Sequence, residues 1–145
     1  MSQVIVRVDK TKLENYVRLF PEKMNAVLEQ WKEEGSLETM EYMRGIAPFK
    51  TGFLRESITR RTTPKGFTVY PTAPYAKYVD KGTSPHMIFP RNATVLSWTA
   101  PAGGQIFARY VHHPGTRGQF FIQRTKEAMR TVLKQLLRFI MREKM

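Results

Sequence analysis

Hydrophobic positions fall at helical spacing toward both ends of this chain and alternate with polar ones in between. Val4, Val6 and Val8, separated by Ile5 and Arg7, predict a short strand. Thr11 and Glu14 have capping-box spacing, and Leu13, Tyr16, Val17 and Phe20 follow at intervals of one, three and four. That pattern predicts a helix starting near Thr11. Pro21 lacks an amide donor and disfavours helical geometry at Phe20, so this helix is expected to stop there. A second is expected to open at Pro21 and run to about Gly45. Its apolar stripe is Met24, Val27, Leu28 and Trp31, then Leu37, Met40, Met43 and Ile46. Gly35-Ser36 weakens its middle, the glycine by roughly 1 kcal/mol relative to alanine, and marks the place for a kink.

From Leu54 to Tyr70 the pattern turns to strands. Pro64-Lys65-Gly66 is a turn signal between two β-like runs, which predicts a hairpin with Leu54 and Ile58 on its core-facing side and Arg55 and Ser57 on the other. Residues 74–81 suit two helical turns closed by Gly82. Residues 83–93, with Pro85, Pro90 and Asn92, read as loop. A second hairpin is expected from 94–99 and 106–111 around Pro101-Ala102-Gly103-Gly104, stopped by His113-Pro114-Gly115-Thr116. The clearest helix spans about Gln119 to Arg142, with Met129, Val132, Leu133, Leu136, Leu137 and Ile140 as its stripe. The reading is one α+β domain over 1–145: a mostly antiparallel sheet of about four to five strands packed with a long N-terminal helix and a C-terminal amphipathic helix.

Composition narrows the classes. At 41% apolar and 25% charged over 145 residues, the chain is too apolar for disorder and long enough to bury roughly 68–70% of its unfolded surface. With no cysteine it has no disulfide framework, thiolate zinc site or cysteine nucleophile. No apolar run reaches membrane-span length, and the start does not resemble a secretory leader, so a soluble protein without membrane partners is expected. The net charge of +12 is unevenly placed: residues 1–50 hold eight basic and eight acidic residues, so the whole surplus lies in 51–145. A one-sided positive field suits nucleic acid, anionic lipid or an acidic partner. On the last helix Arg130, Lys134, Arg138 and Arg142 recur every four residues, roughly opposite the apolar stripe.

Catalytic constellations are not visible. His112 and His113 point to opposite faces of a regular strand and have no acidic neighbours, so no metal is expected. No serine sits in a nucleophile elbow, and the only carboxylates after position 50 are Glu56, Asp80, Glu127 and Glu143. Gly103-Gly104 precedes a strand and lacks the Lys-Ser/Thr ending of a phosphate loop. A non-enzyme without catalytic residues or cofactor is expected.

One stretch is more specific. Ala47-Pro48-Phe49-Lys50-Thr51-Gly52-Phe53-Leu54-Arg55-Glu56-Ser57-Ile58 is followed by Tyr75-Ala76-Lys77-Tyr78-Val79-Asp80-Lys81-Gly82-Thr83, and then by Pro114-Gly115 and Phe120-Phe121 before the final helix. In order and spacing these resemble the head–tail joining (neck) and minor tail component family of tailed bacteriophages. Two positions depart from the family pattern: Lys50 stands where an acidic residue is frequent, and Asp80 where Glu is usual. The resemblance implies a virion protein, assembled in the host cytoplasm as an oligomeric ring around the DNA passage and bound to copies of itself and to neighbouring head-connector and tail-terminator proteins. Non-specific contact with phage DNA is a further implication. Most motif residues (Pro48, Thr51, Gly52, Leu54, Ser57, Tyr75, Tyr78, Asp80, Gly82, Thr83, Pro114 and Gly115) are expected to shape the fold. Phe120 and Phe121 are expected in the core. Arg55 is expected either to bridge to Asp80 or to touch a neighbouring subunit. Arg130, Lys134 and Arg138 are expected to face either DNA or an acidic partner. The rival classes are a basic nucleic-acid-binding module outside any virion, which needs aromatics interleaved with its basic face, and a small enzyme such as a nuclease or toxin, which the missing carboxylates disfavour.

Overall fold

A computed structural model describes residues 10–145; the strand expected at 4–8 lies outside the described residues, as do the side chains of Leu13 and Tyr16. The element order is α1 (Lys10–Ile46), α2 (Phe53–Glu56), β1 (Ile58–Thr63), β2 (Gly66–Pro71), α3 (Ala76–Lys81), β3 (Gly82–Thr83), β4 (His86–Ile88), β5 (Leu96–Thr99), β6 (Gln105–Ala108), β7 (Val111–His113), β8 (Thr116–Arg117) and α4 (Phe121–Lys144). The fold is α+β. Its strands form four separate two-stranded antiparallel ribbons, β1–β2, β3–β8, β4–β7 and β5–β6, instead of one sheet. The punctuation accounts for this. Pro85, Pro90, Pro101 and Pro114 stand at or between the ribbon ends, and a residue with no amide cannot extend a ladder inward.

α1 corrects the expectation of two helices. It includes Thr11, which is therefore not its cap, and runs through Pro21 without a break. Proline deletes one backbone bond, to the carbonyl of Val17, and Val17 is itself exposed, so the loss falls where water can compensate. The helix also continues through Gly35. A Cβ there would sit 2.9 Å from Leu133 Cδ2 and 3.2 Å from Phe67 Cε1, so this glycine marks the close crossing of α4 and β2 over α1.

Two stripes of α1 are covered. Val27, Trp31 and Gly35 lie along the contact with α4, where the Trp31 indole donates to the Leu133 carbonyl at 3.0 Å and the Trp31 and Phe67 rings meet at 5.4 Å. Lys32, Ser36, Met43 and Ala47 are buried beside the first hairpin. Leu28 and Leu37, expected in the core, are exposed. The buried polar groups are satisfied apart from Arg44 Nε, which has no partner among the described residues. Lys32 Nζ donates to Glu29 at 2.6 Å and to the Thr63 carbonyl at 3.2 Å; Ser36 Oγ donates to the Glu33 carbonyl and accepts from Arg60. Arg60 also bonds Glu33 at 2.6 Å and holds that carboxyl below its ordinary range.

The main core gathers Met43, Ala47, Leu54, Ile58, Ala73, Ala76 and Phe121. Leu54 is not on a strand: Gly52, at φ +88°, turns the chain into the single helical turn α2, closed by Glu56 N–H to the Gly52 carbonyl at 3.0 Å. Ile58 opens β1. Both side chains are buried, from different elements. Leu54→Ala is expected to lower stability by about 2–5 kcal/mol, read from the urea midpoint. A loss under about 0.5 kcal/mol would mean that α2 does not pin this core.

Candidate functional site: an interlocked motif region and a basic helix face

α3 and the start of α4 are joined by backbone and by one carboxylate. The Val79 carbonyl accepts from Gln119 N–H at 3.0 Å and the Asp80 carbonyl from Phe120 N–H at 2.8 Å. The buried Asp80 side chain accepts from Ile122 N–H at 3.0 Å. A helix leaves its first amides unpaired, and its N-terminus favours negative charge. The first turn of α4 holds no acidic residue, and Asp80 supplies that charge from another segment. Phe120, the cap position itself, is left-handed at φ +51°, and its ring is 50% exposed. Only Phe121 of the pair enters the core, which corrects the expectation for Phe120.

Residues 83–93, expected as loop, include the second residue of β3 and the whole of β4. Gly82 closes α3 with its N–H on the Tyr78 carbonyl and, at φ +76°, passes directly against the Thr116 backbone. Gly115, at φ +86°, passes directly against the Thr83 carbonyl, and a Cβ on Gly118 would lie 2.6 Å from the Asp80 carbonyl. Thr83 Oγ1 accepts from Thr116 N–H at 3.1 Å and meets Thr116 Oγ1 at 3.0 Å. The two motif segments are thus clasped backbone to backbone, with room for hydrogen at three Cα positions. Pro114 is exposed beside the clasp. Next to it the His86 and His113 rings lie 5.0 Å apart, and His113 Nδ1 accepts from Gly115 N–H. Among the described residues no group of three or more His, Cys, Asp or Glu is placed to hold a metal ion.

The first motif is also tied to backbone. Arg55 Nε donates to the Ala47 carbonyl at 2.9 Å, and its guanidinium lies 5.1 Å from the Phe49 ring centre. It makes no bridge to Asp80 among the described residues. Ser57 Oγ donates to the Leu54 carbonyl, and the Ser57 carbonyl accepts from Thr72 N–H. The Tyr75 carbonyl accepts from the Tyr78 and Val79 amides of α3, and its ring centre lies 6.1 Å from that of Phe53. Pro48, Thr51, Gly52, Leu54 and Tyr75 line an open groove of about 440 Å³ with exposed Phe49 at its edge; Tyr78 stands exposed on α3.

Arg130, Lys134, Arg138 and Arg142 are all exposed on α4 and form no ion pair among the described residues. At about 100° per residue Lys134, Arg138 and Arg142 fall on the side of α4 away from buried Met129 and Ile140, with Arg130 at its flank. The sequence reading missed the Asp80 cap, because no local spacing announces a partner forty-two residues away. It also passed over exposed aromatics on the middle ribbons: Phe89, Trp98, Phe107 and Tyr110. No helix among the described residues is long and apolar enough to cross a membrane.

No family model, curated protein or solved structure matches the chain.

Proposed function

We propose that the chain is a non-catalytic structural component of a tailed-phage virion, a ring-forming neck or tail-completion protein around the DNA passage. The observation that carries the reading is the clasp. The residues that resemble the neck family spend their polar groups and glycines on joining segments of the fold, as Asp80, Gly82, Thr83 and Gly115 do. The free basic face of α4 supports a role beside DNA or an acidic neighbour, with binding that weakens steeply as salt rises if the contact is to phosphates. Partners in this reading are further copies of the chain and the adjoining connector and terminator proteins.

Electron microscopy of the purified full chain is the test. Closed rings of uniform size are the expected result; particles that remain single copies across concentrations would overturn it. One observation favours a second reading, a nucleic-acid-binding module outside any virion. Phe89, Trp98, Phe107 and Tyr110 stand exposed close in sequence to Arg91 and Arg109, an interleaving that suits base stacking.

A further inference from the structure

The ribbons β4–β7 and β5–β6 follow one another between the clasped strands β3 and β8 and form an arm of residues 84–115. β5 and β6 pack chiefly on each other, and Ile88 and Val111 of the neighbouring ribbon line a shallow surface hollow together with Leu96 and Trp98. A two-stranded ribbon alone is marginally stable in water, so this arm is short of covering surface. It nevertheless presents large apolar groups outward: Phe107 is 65% exposed, and Phe89 and Tyr110, with ring centres 6.2 Å apart, are exposed together. Arg91 and Arg109 adjoin that aromatic pair in sequence, both exposed and without an ion pair among the described residues. No carboxylate occurs anywhere between Asp80 and Glu127.

The opposite character lies on the outer face of α1. Glu34, Leu37, Glu38, Glu41 and Tyr42 recur at helical spacing and are all exposed, Leu37 by 46%. This strip offers apolar groups flanked by carboxylates where the arm offers aromatics flanked by guanidiniums.

We infer that the arm of one copy docks on the outer face of α1 of the next, with Arg91 and Arg109 meeting the carboxylates of Glu34 and Glu38 and the Phe89–Tyr110 pair covering Leu37 and Tyr42. The inference rests on the ring reading above and names its contact. Two different patches of one chain meet, so the interface is head-to-tail, and repetition of such a contact closes into a ring when the rotation allows. Complementary charge at its rim sets register and excludes the wrong pairing of arm with arm.

Charge reversal on the full chain tests it by sedimentation velocity. R91E/R109E alone and E34K/E38K alone should each need at least about tenfold more protein to assemble than the wild type, because each brings like charges together. All four positions are exposed, and an unchanged circular dichroism spectrum and melting temperature verify that each variant is folded. An equimolar mixture of the two should assemble again, since every junction in an alternating ring is then matched. Assembly of either variant at the wild-type concentration, or a mixture no better than its components, would overturn the contact while leaving a ring intact. A wild-type chain that never assembles would overturn the ring reading with it. Rings that persist in R91E/R109E while binding of a duplex DNA probe is lost would assign the arm to nucleic acid and overturn the subunit contact.

Discussion

Gly82→Ala is expected to abolish the clasp between β3 and β8 and, with Gly115→Ala, to rank among the most destabilising glycine-to-alanine changes of the described residues. Two costs coincide there. The backbone, at φ +76° and ψ −173°, lies in a region almost reserved for glycine, worth about 1–3 kcal/mol for another residue. The new methyl would also enter the space of the Thr116 carbonyl and the Gly118 amide, which are backbone and cannot swing aside. Gly103→Ala separates the two costs. Gly103 has φ +87° with nothing within 4 Å of the added carbon, so it bears the conformational penalty alone. Chemical denaturation should therefore show Gly82→Ala losing clearly more than Gly103→Ala. Equal losses would mean that the clasp relaxes freely and is not a fixed joint.

The second large effect is expected at Phe121. Its ring is fully buried in the core with Met43, Ala47, Leu54 and Ile58, one residue beyond the left-handed Phe120. Phe121→Ala should lower stability by about 3–5 kcal/mol through lost burial and the cavity left behind. Phe120→Ala, at an exposed ring, should cost much less, although it also removes a side chain from a left-handed position. A denaturation series in which the two variants lose equal stability would contradict the separate roles assigned to these neighbours.

The sequence announced the elements whose cause is local. The turns at Pro64-Lys65-Gly66 and Pro101–Gly104, the glycine stop after α3 and the α4 stripe, in which Val132 alone is exposed, depend on residues within a few positions and reappear in the structure. What escaped depends on distant neighbours. Pro21 reads as a helix end because the rule counts the missing amide but not the exposure that makes its loss tolerable. Gly35 reads as a weak point, and only α4 crossing above it explains why a side chain has no room. Lys32 and Ser36 are buried against the expectation for polar residues, because β1 brings Arg60 and the Thr63 carbonyl to meet them. Leu28 and Leu37 share the apolar period with buried residues but fall on the outer face. Of the candidate site, the exposure of the α4 cations was legible from their place on the helix. Which atoms Arg55 and Asp80 serve was not, since both bond to main-chain groups that have no sequence signature.

The clasp also determines where this architecture tolerates change. It holds Thr83 and Thr116 side by side, and everything between them leaves and re-enters the body at one point. The body's cores, built on α1, α2, the first hairpin, α3 and α4, draw no residue from that excursion. The arm is thus a graft point. Its length and tip chemistry can drift, or be exchanged for a short connecting turn, while Asp80 still caps α4 and Gly82 still crosses Thr116. Such a chain can vary the surface its arm presents without altering the contacts that fold its body.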